Sequence, residues 1–476
     1  MKKHWPVTLF LIFFFLVIAY KIIFQPTPFY DWDESLYVQT GREMIEQKKF
    51  LFPVWQGTYW LDKPPLIPLL YGIILKLSFG LPPEITTRLF SLIVSVFVLV
   101  FVYNFFNRVL KNNFLSTLTV AVTALTPLFL QRAQTVNLDI FILFGWLGYV
   151  LFFENFFASL FFLFIAVMGK SLIGFYPAVM MFVYYLYTYT TGETKKKQFY
   201  KRIRQIVFQS LILLSWFAAM MLIFGKQFWV QHIIESHFRR VTSSIEFHFG
   251  ERIFYITEAI GQMGYFFYLA IVGGIITLVN FFRKKLSFKD LFVSFYLLPW
   301  FIFLNLTKTK IFWYFYPAIP QFAYLAVGSL KQINKKPLTL LLSVGLVGIL
   351  FYQSFIKTNV LAVSYSKPEP YYRLAIDAKR DCRSLNVLIN KTTRGSFATL
   401  EGLGLLITTT KWWGDHPSMV YYFGKRVDFY YDTNNFNAIF GNPGCFVVDK
   451  DDINYLNWFK GAIKKYGDYY LLESNL

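Results

Sequence analysis

Apolar runs recur along the chain from Trp5 to residue 355, separated by short polar loops. Runs of about 20 residues are long enough to cross a ~30 Å hydrocarbon core as helices, which satisfy their own backbone in lipid. The pattern predicts about eleven spans: 5–24, 85–107, 114–131, 137–153, 154–169, 172–190, 206–224, 263–282, 290–306, 314–330 and 337–355. Two segments do not fit a span. Residues 33–46, "DESLYVQTGREMIE", open on an acidic turn and carry apolar residues at helical spacing, which predicts a helix on the membrane surface. Residues 64–80, "PPLIPLLYGIILKLSFG", are apolar for only about 15 residues and interrupted by Lys76, and are expected as a second interfacial helix. Beyond residue 356 the chain becomes polar, with strand-like alternation in "LNVLI" and "CFVVD" and a turn at "GNPG". The expected fold is a polytopic α-helical membrane domain, 1–355, followed by a small α/β domain, 356–476.

Composition agrees. The 476 residues are 56% hydrophobic and 21% aromatic, and only 16% are charged, against roughly 25% in soluble proteins. Mean hydropathy is +0.44. The first run follows Met-Lys-Lys-His and lacks a small-residue cleavage pattern, so it is expected as a retained span and not a signal peptide. A net charge of +20 would suit nucleic acid, but its distribution suits lipid. The basic residues gather in short loops: Arg108 and Lys111; Lys195 to Arg204; Arg283, Lys284, Lys285 and Lys289; Lys331, Lys335 and Lys336. With the N-terminus inside, the threading puts every one of these loops on the cytoplasmic side of a plasma (inner) membrane. Were 64–80 a true span, they would all face outward. The C-terminal domain then lies outside, with both cysteines, Cys382 and Cys445. A disulfide between them and two buried thiols are both open readings.

The charges left on the outer side are few: Asp31, Asp33, Glu34, Asp62 and Asp139; Lys63, Arg88, Arg132, Lys170, Arg239, Arg240, Lys308 and Lys310; His237 and His248. Ionisable groups at span ends are costly and tend to be functional. Asp33 read alone is also a good helix N-cap, and Asp31-x-Asp33 matches a weak metal–nucleotide pattern on the side that lacks nucleotide sugars. Lys63 precedes two prolines that stiffen the chain and present it. Lys308 and Lys310 in "NLTKTKIFWYFYP" break the positive-inside rule, as an anionic partner at the surface would explain, a phosphate joined to a lipid above all. A carboxylate on one side and cations on the other is the layout for displacing a phosphate from a lipid carrier. The carboxylate takes a proton from an acceptor hydroxyl and the cations hold the departing charge.

The motifs "WDESLYVQTGREMI", "YWLDKPPLIPLLYGIILKLSFG", "TTRLFSLI", "NLDIFILFGW" and "TKTKIFWYFYPAIP", in this order and spacing, resemble the lipid-phosphate-sugar glycosyltransferases of the GT-C fold. This superfamily includes the protein O-mannosyltransferases and the lipid A aminoarabinose transferases. The resemblance covers residues 1–330 and is loose beyond. It implies transfer of a monosaccharide from undecaprenyl or dolichyl phosphate to an extracytoplasmic lipid, glycan or protein, with inversion. It implies Asp33 with Glu34 as the acidic pair and Asp139 as a second embedded acid. Lys63, Arg88, Lys308 and Lys310 would contact the donor phosphate. By the same resemblance Asp62 and His237 would hold a divalent metal, zinc or magnesium. The family's K-L-P-x-Y reads Lys310-Ile311-Phe312-Trp313-Tyr314 here, without the proline. "KWWGDHPS" is only superficially similar to the W-W-D-Y-G of oligosaccharyltransferases, and Trp412 and Trp413 are expected as core or membrane-contacting aromatics. The alternatives are a lipid-linked sugar transporter or flippase, disfavoured by the scarcity of mid-span charge, and an oligosaccharide ligase.

Overall fold

The computed structural model describes residues 4–245, 248–333, 336–358, 371–405 and 416–474. The first run forms α1, Trp5–Phe24. The two segments that did not fit a span follow as α2, Asp33–Glu46, and α3, Leu66–Lys76, joined through a short hairpin of β1, Val54–Trp55, and β2, Thr58–Tyr59. Eleven residues rise only about 16 Å, so α3 does not cross a bilayer. It packs on α2 at two glycines: a Cβ on Gly41 would stand 2.1 Å from the Pro68 carbonyl oxygen, and one on Gly72 would stand 2.3 Å from that of Gly41. No other side chain allows so close a crossing.

The membrane domain continues with α4, Pro83–Leu110; α5, Asn113–Leu125; α6, Pro127–Ala133; α7, Asp139–Leu151; α8, Phe156–Lys170; α9, Tyr176–Thr190; and α10, Lys196–Phe228. A π-helical stretch, Trp229–Arg239, and the single turn α11, Arg240–Thr242, lead to α12, Phe254–Met263, and α13, Tyr265–Phe282. Then come α14, Phe288–Phe295; α15, Leu298–Leu306; α16, Ile319–Leu330; and α17, Lys336–Phe351. Among the described residues, six helical runs are long and apolar enough to cross a membrane, and two bent pairs raise this to eight. The chain is a multi-pass membrane protein.

The spans are less straight than the apolar pattern predicts. Residues 114–131, expected as one span, bend by 74° between α5 and α6. Pro127 at the start of α6 holds Thr126 extended, at φ −63° and ψ 129°. The run Phe156–Thr190 is continuous on paper but folds back at a 3-10 turn, Ser171–Phe175. The ring of Phe153, just before α8, lies 5.6 Å from that of Tyr185, near the far end of α9. Helix α7 is a further apolar helix, shorter than the six long runs.

The basic loops meet at one end. His4 bonds Tyr103 at 2.9 Å, Arg108 donates to the Leu151 carbonyl, and Lys331 donates to that of Leu110. The rings of Tyr187 and Phe288 stack 3.7 Å apart between two further basic loops.

The C-terminal domain contains α18, Tyr371–Asp381; β3, Leu385–Leu388; α19, Lys391–Gly402; α20, Pro417–Phe423; β4, Val427–Tyr430; α21, Thr433–Asn437; β5, Cys445–Asp449; α22, Asn454–Trp458; β6, Ala462–Tyr466; and β7, Tyr469–Glu473. Its sheet has the order β4-β3-β5-β7-β6. β3 runs parallel to β4 and β5, while β7 runs antiparallel to β5 and β6. Cys382 and Cys445 form a disulfide that ties the end of α18 to β5. Trp412 and Trp413 lie outside the described residues. The domain sits at the end opposite the basic loops, against α2: Arg42 donates to the Tyr421 carbonyl, and Tyr422 bonds Glu84 at 2.6 Å.

Candidate active site

The carboxylates at the start of α2 have separate environments. The helix begins at Asp33, and Trp32 before it has φ 68°, a conformation that costs a non-glycine residue of order 1–3 kcal/mol. Asp33 is therefore the first helical residue and Trp32 takes the N-cap position; the N-cap reading of Asp33 is corrected. Its Oδ2 lies 3.3 Å from Arg132 Nη1, and its Oδ1 accepts from the Tyr37 hydroxyl at 3.4 Å. The side chain keeps 26% of its surface exposed. Burial of the rest raises its carboxyl above the ordinary range, against the opposing pull of Arg132.

Glu34 points the other way and has no exposed surface. It accepts four bonds: Arg88 Nε at 2.9 Å, Arg88 Nη2 at 2.6 Å, the Tyr30 amide at 2.9 Å and the Val136 amide at 2.8 Å. Arg88 donates its remaining hydrogens to the Thr27 carbonyl and hydroxyl and the Pro28 carbonyl. All five guanidinium donors are committed, which leaves none for a phosphate. Two expectations are corrected here. Arg88 is not placed to bind a donor phosphate, and Glu34 is not placed for catalysis; as a bidentate pair they fix the loop that carries Asp33.

Asp139, the first residue of α7, holds Lys170 Nζ at 2.6 Å through one oxygen, and its other oxygen stands 3.7 Å from Arg132 Nε. The bend at Thr126 turns α6 so that Arg132 comes between the two acids. The aromatic run after Lys310 supplies rings for these cations. Arg132 lies over Trp313 at 4.9 Å and Lys170 over Tyr314 at 4.4 Å.

Lys170 and Tyr314 also line a cleft of about 670 Å³. Its polar end is formed by Lys63, Lys170, Ser236, His237, Arg240 and Thr309. Its walls are apolar, with Leu172, Ile173, Val179 and Met180 on the α9 side and Trp300, Phe303 and Leu304 on α15. Val179 and Phe303 are 57% and 40% exposed, so the apolar end opens through the flank of the membrane domain.

The two lysines of "TKTK" are not at this cleft. Lys310 is buried, and its ammonium donates to the Leu304 and Asn305 carbonyls at 3.1 Å each, capping the end of α15. Lys308 is exposed. Their backbone pairs with α11 and the loop after it: Lys308 donates to the Val241 carbonyl, and Lys310 to that of His248. This pairing holds Arg240 beside the cleft. Of the two lysines expected at the phosphate, Lys310 is held by backbone carbonyls and Lys308 stands exposed outside the cleft lining.

Asp62 and His237 do not make a metal cage as they stand. The Asp62 carboxylate holds Lys63 at 2.6 Å on one oxygen and the Ser236 hydroxyl on the other. Burial alone would raise this group, but Lys63 and Arg240 outweigh it and hold it below the carboxylate range. His237 Nε2 faces the Ser171 hydroxyl at 2.9 Å. Among the described residues no three His, Cys, Asp or Glu side chains gather to share an ion.

Asp31, expected only as part of a D-x-D pattern, faces the C-terminal domain. Its oxygens accept from the Ser418 amide and pair with His416 Nδ1, each at 2.9 Å. The sequence had placed Arg132, Lys170 and Arg240 among the outer charges without giving them partners. Tyr37, Trp313 and Tyr314 carried no signal beyond their position beside those charges.

No protein-family model matches the chain. An uncharacterized protein of Aquifex aeolicus (strain VF5) is 26% identical over 364 residues, which is 73% of this chain and 68% of that one. The structure is similar to that of ArnT from Cupriavidus metallidurans bound to undecaprenyl phosphate, with a TM-score of 0.67 and 13% identity over 98% of this chain and 97% of ArnT. The apo state of ArnT gives a TM-score of 0.68 at 14% identity, with the same coverage. At such identity the likeness concerns the fold, and from α1 through the C-terminal sheet that fold is the GT-C membrane architecture.

Proposed function

We propose that this chain is a membrane glycosyltransferase that takes a monosaccharide from a polyprenyl-phosphate donor. The cleft carries the reading: a cationic end beside the Asp33 cluster continues into an apolar groove that opens toward lipid. That is the shape of an isoprenoid phosphate, with the phosphate at Lys63 and Arg240 and the chain between α9 and α15. ArnT, which shares the fold, has been crystallised with undecaprenyl phosphate.

Asp33 is the base. The acceptor hydroxyl oxygen attacks the anomeric carbon on the face opposite the phosphate, and its proton passes to Asp33. The bond from anomeric carbon to phosphate oxygen breaks with its electron pair on the phosphate, where the cations hold the charge. The sugar is inverted. We place this end outside the cytoplasm of the plasma (inner) membrane, because every basic loop lies at the other end and because a disulfide persists in an oxidising compartment. The acceptor is a lipid, glycan or protein hydroxyl on that side.

The test uses purified protein in detergent with polyprenyl-phosphate mannose, then with polyprenyl-phosphate aminoarabinose, and follows release of free polyprenyl phosphate. Release by the wild type that is lost in Asp33→Asn supports the transferase. Binding of both donors without release by the wild type would instead favour a transporter.

A further inference from the structure

Lys170 belongs to two sets of contacts. Its ammonium lies 2.6 Å from Asp139 Oδ1, and the residue also lines the cleft next to Tyr314. Behind Asp139 the contacts continue to Arg132 Nε at 3.7 Å and from Arg132 Nη1 to Asp33 Oδ2 at 3.3 Å. The four charges alternate in sign along α2, α6, α7 and α8. The inner two side chains, Arg132 and Asp139, are 0% and 4% exposed, while the outer two, Asp33 and Lys170, are 26% and 11% exposed. This ladder reaches open space only at its ends: the carboxylate assigned as base, and the cation in the donor cleft.

We propose that Lys170 is shared between Asp139 and the phosphate of the lipid donor, and that arrival of the phosphate is passed through Asp139 and Arg132 to Asp33. This rests on the donor assignment above. A phosphate at the polar end of the cleft competes with Asp139 for the Lys170 ammonium. Asp139 then leans on its other cation, Arg132, whose present separation is beyond hydrogen-bond range. The rigid guanidinium meets Asp139 through Nε and Asp33 through Nη1, on different edges, so a shift of the group toward Asp139 loosens its already long contact with Asp33. In a buried cluster such exchanges act strongly, because solvent does not screen them. Asp33 becomes the stronger base when a donor is present, and an empty enzyme keeps its base restrained.

The groups that face Asp33 are Arg132 of α6, Asp139 of α7, Lys170 of α8 and Tyr37 on its own helix. Glu34 is held away by Arg88. Arg132, Asp139 and Lys170 act here as positioning residues, so the test reads protons as well as rate. Full-length protein in detergent is titrated calorimetrically with undecaprenyl phosphate at mildly acidic pH, in two buffers of different ionisation enthalpy. The difference in heats gives the protons bound per lipid.

Losing part of Arg132's hold makes Asp33 easier to protonate, so the wild type is expected to take up more protons than Asp33→Asn, by up to one per lipid. That excess is expected to vanish in Lys170→Met. Asp139→Asn interrupts the ladder at a second point and is expected to erase it too, which keeps the test decisive if either variant fails to fold. Equal proton counts in wild type and Asp33→Asn, with lipid bound in both, overturn the inference and leave the donor assignment standing. No lipid binding by the wild type overturns both.

Discussion

Arg132 stands between two carboxylates, 3.3 Å from Asp33 and 3.7 Å from Asp139, and none of its side chain reaches solvent. A buried cation so placed neutralises two acids that would otherwise repel each other. Arg132→Met leaves both without it, and breaking a buried ionic cluster costs about 3–5 kcal/mol. Thermal unfolding is expected to show that loss. Arg132→Lys keeps the charge but not the fork, and is the variant for kinetics. Asp33 must be ionised to accept a proton, and a nearby cation favours its ionised form. Weakening that cation raises the pH at which Asp33 ionises. The acid limb of the transfer rate is therefore expected to move to higher pH in Arg132→Lys; an unmoved limb would mean that Asp33 does not set it.

The Glu34–Arg88 pair makes a different prediction from the one the sequence alone suggests. A phosphate ligand removed by Arg88→Met would weaken donor binding and leave the fold intact. The buried bidentate pair predicts instead that Arg88→Met and Glu34→Gln each lower stability by several kcal/mol, since each strands its partner. The double variant is expected to cost less than the sum of the two, because both break the same contact. Unfolding temperatures of the three proteins decide it.

The chain shows its architecture in sequence more openly than its site. Helix α2 begins and ends where the acidic turn and apolar spacing put it, and the brevity of the apolar run around Leu66–Lys76 already argues against a span. These are local features. The bend at Pro127 was visible only as a proline in an apolar run, yet it delivers Arg132 to Asp33 from 99 residues away. Charge pairing is non-local, and no periodicity records it. The outer charges could be counted from the sequence, but which of them line the cleft could not. Arg88 and Lys310 proved to be holding backbone carbonyls, while Lys170 and Arg240, less prominent in the sequence, line the cleft.

That redistribution can be tested at the cleft. Lys63→Ala and Arg240→Ala each remove a cation from the polar end, and a charge-assisted bond to phosphate is worth roughly 1.5–3 kcal/mol. Affinity for undecaprenyl phosphate is expected to fall about 10- to 100-fold in either variant. Lys308→Ala, at an exposed side chain outside the cleft, is expected to bind within about twofold of the wild type, the scale of an exposed charge. Fluorescence or calorimetric titration with the lipid separates these outcomes. A large loss in Lys308→Ala with none in Arg240→Ala would return the phosphate to the "TKTK" loop.

Asp31 ties the C-terminal domain to the helix that presents Asp33. Its carboxylate pairs with His416 and accepts the Ser418 amide at the start of α20, two residues from the assigned base. Arg42, on the same helix, reaches the Tyr421 carbonyl and lies 4.8 Å from the Tyr421 ring. Removing one such anchor leaves the others in place, so Asp31→Ala is expected to loosen the contact without unfolding either part. A carboxylate bond to a backbone amide and an imidazole contributes on the order of 1–3 kcal/mol. Limited proteolysis should then cut the C-terminal domain of Asp31→Ala faster than that of the wild type, while lipid binding is retained at the cleft, whose lining does not include Asp31. If the chemistry needs α2 held still, the transfer rate falls as well, although Asp31 touches no reacting atom. Unchanged proteolysis together with a lost rate would point to a direct role for Asp31 and restore weight to the D-x-D pattern.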